Sequence, residues 1–253
     1  MSDDPLSNVI QLSHHLGDPS FDYAILGEGN TSVRAGDNSF WVKASGQEMR
    51  IIMASGFVQV AFDRVLALLN APDISDAAVR AALAAAKVDA SAMGHPSVET
   101  LLHALCLQLT DVNYVGHTHP TVVNALTCSA AFDTAFGGRL FPDEIVICGP
   151  APLLVPYTDP GVPLARRVHD LLDDYIGAYN EPPKVILLQN HGLIALGRTV
   201  QQVENITAMA TKAARVLLGA YAAGGPHFLS PQAAQRIHTR PDELYRRQLL
   251  KVT

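Results

Sequence analysis

The period of the apolar positions switches repeatedly along this chain. Residues 97–109 read as a helix, because Val98, Leu101, Leu102, Leu105 and Leu109 recur at helical spacing. Leu164, Val168, Leu171, Leu172, Tyr175 and Ile176 mark a second amphipathic helix. Thr199 followed by Gln202 is a capping-box pattern that opens a long helix to about Ala223. Ser230-Pro231 starts the last helix, and Ser75 is an N-cap within the alanine-rich segment 71–94. Strand-like runs lie between. Residues 27–33 and 39–43 flank a turn at Gly36-Asp37-Asn38, and 57–62 and 112–118 follow. Residues 145–148 and 184–189 are short apolar runs, predicted as buried strands.

This alternation, without a repeat or a linker-like stretch, predicts a single α/β domain across residues 1–253. It leaves strand order open between a doubly wound sheet and a mixed one. Composition narrows the partners. Apolar residues make up 48 % and charged residues 17 %, an ordinary globular balance. The net charge is −6 and no basic cluster exceeds pairs such as Arg166-Arg167, which argues against nucleic acid as a partner. No apolar run is long enough to span a bilayer, and the acidic start lacks the apolar core of a signal peptide. Cys106, Cys128 and Cys148 are widely spaced among apolar neighbours, the pattern of buried thiols in a reducing cytoplasm.

The candidate chemistry centres on Val115-Gly116-His117-Thr118-His119-Pro120. Side chains alternate along a strand, so His117 and His119 share a face, with Cα atoms roughly 6–7 Å apart. Two imidazoles so placed can converge on one metal ion. His191, where a buried-strand pattern meets Gly192, is a candidate third ligand, and three imidazoles with an open position suit a catalytic zinc. Glu99, in the first turn of the predicted helix, is a candidate general acid/base. His103, four residues on, shares its helix face and orients Glu99 or packs. Candidate anion contacts come from residues 27–32, from Ser45-Gly46, and from Ser97 at the helix start.

The ordered set Gly29-Asn30-x-Ser32, Ser45-Gly46, Pro96-Ser97-x-Glu99 with His103, His117-x-His119-Pro120, Pro156-Tyr157 followed by Gly161, and Asn190-His191-Gly192 resembles the class II aldolase/adducin family, which includes L-fuculose-phosphate and L-rhamnulose-phosphate aldolases. The resemblance implies an α/β/α sandwich around a central, largely antiparallel mixed sheet, assembled as a homotetramer. It implies that His117, His119 and His191 bind zinc or another divalent metal, that Glu99 is the acid/base, and that Asn30, Ser45, Gly46 and Ser97 contact a phosphate. The implied reaction cleaves a C–C bond of a sugar or sugar-phosphate-like ketose through a metal-stabilised enediolate. Decarboxylation or epimerisation of a related sugar acid or phosphate uses the same intermediate, and a non-catalytic module like the head region of adducins is a reading from another class. A dry site would raise the Glu99 pKa toward neutrality. Two departures bear on substrate. Val98 stands where the family's sugar-phosphate aldolases carry a second serine, and a valine cannot donate to a phosphate oxygen. Residues 131–141, where the family's catalytic tyrosine would fall, contain no tyrosine.

Overall fold

A computed structural model describes residues 4–72 and 75–249. The first three residues of the acidic start and Asp73-Ile74 of the alanine-rich segment lie outside it. Seven strands form one sheet: β1 (Asn30–Arg34), β2 (Ser39–Lys43), β3 (Phe57–Ala61), β4 (Tyr114–Thr118), β5 (Leu153–Val155), β6 (Val185–Leu188) and β7 (Gly192–Gly197). Their order is β3-β2-β1-β4-β7-β6-β5. Every pairing is antiparallel except β5 with β6, so the sheet is mixed and largely antiparallel.

Helices cover both faces. The chain-order labels are α1 (Pro5–Leu16), α2 (Phe62–Leu66), α3 (Asp76–Ala85), α4 (Thr100–Leu107), α5 (Thr121–Thr127), α6 (Phe132–Ala135), α7 (Pro142–Cys148), α8 (Val162–Tyr179), α9 (Val200–Ala222), α10 (Pro231–Thr239) and α11 (Pro241–Leu249). The strands alternate in the residues they send to each side. Phe40, Val42, Ile186 and Leu188 join a core with α2, α3, α4 and α8. Val33, Tyr114, Leu187 and Leu193 join a second core with α1, α5, α7 and α9. The sheet is thus buried on both faces, and apolar runs such as Val185–Leu188 are buried at every position. Among the described residues, no helix is long and apolar enough to cross a membrane.

Several sequence-based boundaries change for identifiable reasons. Residues 145–148 are the end of helix α7, not a strand. Pro142 occupies the first turn with Asp143 and Glu144, and the helix is buried from Glu144 to Cys148. A short apolar run cannot tell an enclosed helix from an enclosed strand. Among the described residues of the 71–94 segment the helix is α3, capped by Ser75 Oγ accepting the Ala78 N–H. Thr199 caps α9 as read, its hydroxyl accepting the Gln202 N–H, while the Gln202 side chain accepts from Arg198 N–H. Ser230 caps α10, and a further helix follows because Arg240 is extended before Pro241. Cys106 and Cys148 are buried, but Cys128 is exposed, since it is the residue that ends α5 at the surface.

The carbonyls that end α7 meet a buried cation. The Arg139 guanidinium donates to Cys148 O at 3.0 Å and Gly149 O at 3.1 Å, and pairs with Glu144 Oε1 at 2.8 Å. Glu144 Oε2 accepts the Leu140 N–H at 2.8 Å. Removing the cation leaves a buried carboxylate and several carbonyls unpaired. Arg139→Met is therefore expected to destabilise the fold by about 3–5 kcal/mol, read as a lower midpoint in urea unfolding with an unchanged slope.

Candidate metal centre

The antiparallel pairings gather the chemistry at one edge of the sheet. β4 and β2 end there, and β1 and β7 begin there. His117 lies opposite Asn30 on β1 and Ile194 on β7. His119 follows the last residue of β4, its N–H donating to Tyr23 O at 2.7 Å. His191 sits in the tight β6–β7 connection, after Asn190 in a left-handed conformation (φ 56°). Gly192 makes the convergence possible. A Cβ there would lie 2.6 Å from His119 Cδ2 and 3.3 Å from His117 Cε1.

The three imidazoles meet through their Nε2 atoms. His117 Nε2 lies 3.0 Å from His119 Nε2 and 3.3 Å from His191 Nε2. Glu99 Oε1 lies 3.1 Å from His191 Nε2 and 3.5 Å from His117 Nε2. Two rings have their other nitrogen committed: His117 Nδ1 to Leu193 O at 3.0 Å, and His119 Nδ1 to Glu28 Oε2 at 3.2 Å. An N–H at Nδ1 leaves the Nε2 lone pair facing inward, the tautomer a metal ligand needs. Facing lone pairs repel unless a proton or a cation lies among them. Three such nitrogens can hold a divalent ion, and the donor set suits zinc.

Glu99 ends up just before the first helical residue of α4 rather than inside its first turn. The N-terminal end of the helix still favours its charge. Its Oε2 accepts from Asn30 Nδ2 at 2.6 Å. The His103 ring does not bond the Glu99 carboxylate; the two residues meet only through the helical bond from His103 N–H to Glu99 O at 3.1 Å. The His103 ring bonds Asn30 Oδ1 through Nε2 and Ser32 Oγ through Nδ1. Of the predicted anion contacts, Asn30 has its amide committed in this way. Ser45, Gly46 and Ser97 line a cavity beside Glu99 and His119. The Ser97 hydroxyl is buried with no hydrogen-bond partner among the described residues. Val98 is half-exposed next to it, and His95 is exposed outside the cavity lining.

Two charged residues of this cavity escaped the sequence reading, Glu28 and Lys43. Lys43 is only 3 % exposed, its ammonium donating to Gly27 O at 3.1 Å and Gln47 O at 2.5 Å. Strand alternation places Phe40 and Val42 in one core and Lys43 on the opposite face with Trp41, which the second core also covers. The Gly27 and Gln47 carbonyls take up its ammonium there.

Burial is the largest influence on the titration of these groups. It pushes His119 down to about 3, with the charges of His117 and His191 adding to it. It pushes His103 to about 3 as well, so that ring is neutral. Lys43 is lowered by burial and partly restored by Glu99. Burial also opposes charge on His117, but Glu99 beside it more than offsets this and holds His117 above its ordinary value. Glu99 shows the converse. Burial alone would raise its carboxyl, yet His117 and His191 hold it well below the usual carboxylate range. The expected shift toward neutrality is thus overturned, because adjacent imidazolium charge outweighs desolvation.

Residues 7–218 match the family described as Class II Aldolase and Adducin N-terminal domain. A Bacillus subtilis protein named uncharacterized oxidoreductase YuxG is 29 % identical over 182 residues, 68 % of this chain. The chain spans about a quarter (24 %) of the length of that relative. Among solved structures, the N-terminal class II aldolase domain of a conserved Thermoplasma acidophilum protein superposes with a TM-score of 0.66 at 25 % identity, covering 86 % of this chain and 95 % of that one. An L-fuculose 1-phosphate aldolase shares the fold with a TM-score of 0.68 at 19 % identity, covering 94 % of this chain and 96 % of that one. The architecture, the clustered histidines and the family match agree: the chain belongs to the class II aldolase/adducin family.

Proposed function

We propose that this protein is a metal-dependent aldolase that cleaves a C–C bond of a sugar or sugar-phosphate-like ketose. One observation carries the reading: the Nε2 atoms of His119 and His191 and one Glu99 carboxylate oxygen all lie within 3.5 Å of His117 Nε2, beside a cavity. His117, His119 and His191 hold the ion, with zinc the best match to the donor set. When bound, a divalent cation supplies Lewis-acid stabilisation of the charge that develops on an enediolate as the bond breaks.

The chain's own residues do the rest. Glu99 carries the proton, because its Oε1 is the carboxylate oxygen turned toward the histidines. It begins the cleavage direction as a base and takes the proton at Oε1. Ser45, Gly46 and Ser97 receive the anionic end of the substrate. The buried Ser97 hydroxyl, without a partner among the described residues, supports that role, since such a donor favours a ligand that supplies one. Lys43 places a cation behind the same cavity. Glu28 holds the His119 ring through Nδ1. We place the protein in the cytoplasm, as its widely spaced cysteines suggest, as a single domain that assembles into the homotetramer the family resemblance implies.

Three substitutions test this reading. His119→Ala is expected to lose bound metal and turnover while keeping its circular dichroism spectrum; full activity in metal-free protein would end the proposal. Glu99→Gln is expected to retain metal, measured by mass spectrometry of the ion, and to lose about a hundredfold or more in kcat against a panel of ketoses and ketose 1-phosphates. Product masses on that panel separate the readings, because aldol cleavage splits the substrate, decarboxylation releases carbon dioxide, and epimerisation conserves mass. Gly192→Ala drives a methyl group into the His119 ring. Metal affinity in a chelator competition is expected to fall roughly 10–100-fold, as for other losses of ligand orientation.

A further inference from the structure

One buried titratable side chain at this edge has no part in the site described so far. His103 lies on α4, 1 % exposed, and neither ring nitrogen bonds one of the clustered histidines. Its two partners, Asn30 and Ser32, point to the same side of β1, two residues apart. Asn30 in turn bonds Glu99 Oε2. Ser32, His103, Asn30 and Glu99 therefore form an unbroken buried chain.

The chemistry of the groups fixes the direction of every link. Asn30 turns its NH2 group to Glu99, with Nδ2 donating to Oε2 at 2.6 Å. Asn30 Oδ1 then faces His103, and a carbonyl oxygen only accepts, so the ring proton sits on Nε2. Nδ1 is left as an acceptor, so Ser32 donates its hydroxyl hydrogen. The alternative Asn30 rotamer would press its carbonyl oxygen against the carboxylate and its NH2 against an N–H. All three hydrogen-bond dipoles thus aim at Glu99 Oε2, and the neutral state of His103 is the one this arrangement needs.

We propose that His103 and Asn30, backed by Ser32, are positioning residues that hold Glu99 Oε2 so that Oε1 alone faces the histidine cluster and moves the proton. This rests on the reading of Glu99 as the proton carrier. It also gives the Asn30 side chain a task other than the phosphate contact implied by the family resemblance. A carboxylate free to rotate would spend part of its time with neither oxygen aligned, which lowers turnover without weakening substrate binding.

The test uses the metal-loaded full chain. His103→Leu is expected to lower kcat about 10–100-fold with KM within about threefold of the parent and metal content unchanged. His103→Gln is expected to recover turnover to within about fivefold of the parent, because its amide N–H falls where Nε2–H lies. Equal losses in the Leu and Gln variants, both folded, would mean that His103 only packs, and so would a rise in KM at constant kcat. Glu99→Gln separates this proposal from the one beneath it. If that variant turns over normally, the proton-carrier reading fails. If it is inactive while His103→Leu keeps full turnover, only the positioning chain fails. A readout free of mutation is nuclear magnetic resonance of histidine-labelled protein. An Nε2–H tautomer for His103 supports the chain, and an Nδ1–H tautomer or an imidazolium overturns it.

Discussion

The register of β4 between β1 and β7 is the constraint on which the rest of this structure depends. It sets His117 opposite Asn30 on one side and Ile194 on the other, with Thr118 opposite Leu193. The β6–β7 connection is therefore brought level with the end of β4, and His191 meets the other two rings. A slip of one residue in either pairing would turn His117 into the wrong core and carry His191 away from it. The register is held by burial on both faces. Val115, Ile194 and Leu196 fill one core, while Tyr114, Leu193 and Ala195 fill the other.

Placing ionisable groups at such an edge sets two forces against each other. Desolvation disfavours charge on His117, His119, Lys43 and Glu99. Proximity between Glu99 and His117 opposes it, and for this pair proximity wins in both partners. For His119 the attraction of Glu99 is outweighed by burial and by the charges of His117 and His191, so the ring stays neutral, in the state required of a metal ligand. The buried chain through Asn30 and His103 extends the same economy inward, since each member satisfies the next and none is left unpaired.

Much of the site was legible in the chain. Strand alternation alone placed His117 and His119 on one face, and their Nε2 atoms do meet at 3.0 Å. The glycine after His191 marked a tight place, and Gly192 is where the His119 ring and the Thr118 carbonyl leave no room for a side chain. Other features were hidden. Glu28 and Lys43 carried no spacing signal, because each joins the cavity through a contact between segments distant in sequence. Helix α7 was unreadable as a helix because enclosure on all sides erases amphipathic periodicity.

By itself the sequence determined the local facts: where helices α8 and α9 begin to repeat, which strand carries two histidines on one face, and which glycines sit beside functional residues. Those follow from periods of two and 3.6 residues and from capping groups, which act over a few residues. Only the tertiary structure decided that the sheet is mixed in the order β3-β2-β1-β4-β7-β6-β5, that Asn30 faces Glu99 rather than open space, and that Glu99 is held acidic. Strand order and electrostatic environment arise from long-range packing, and a short window of sequence contains neither.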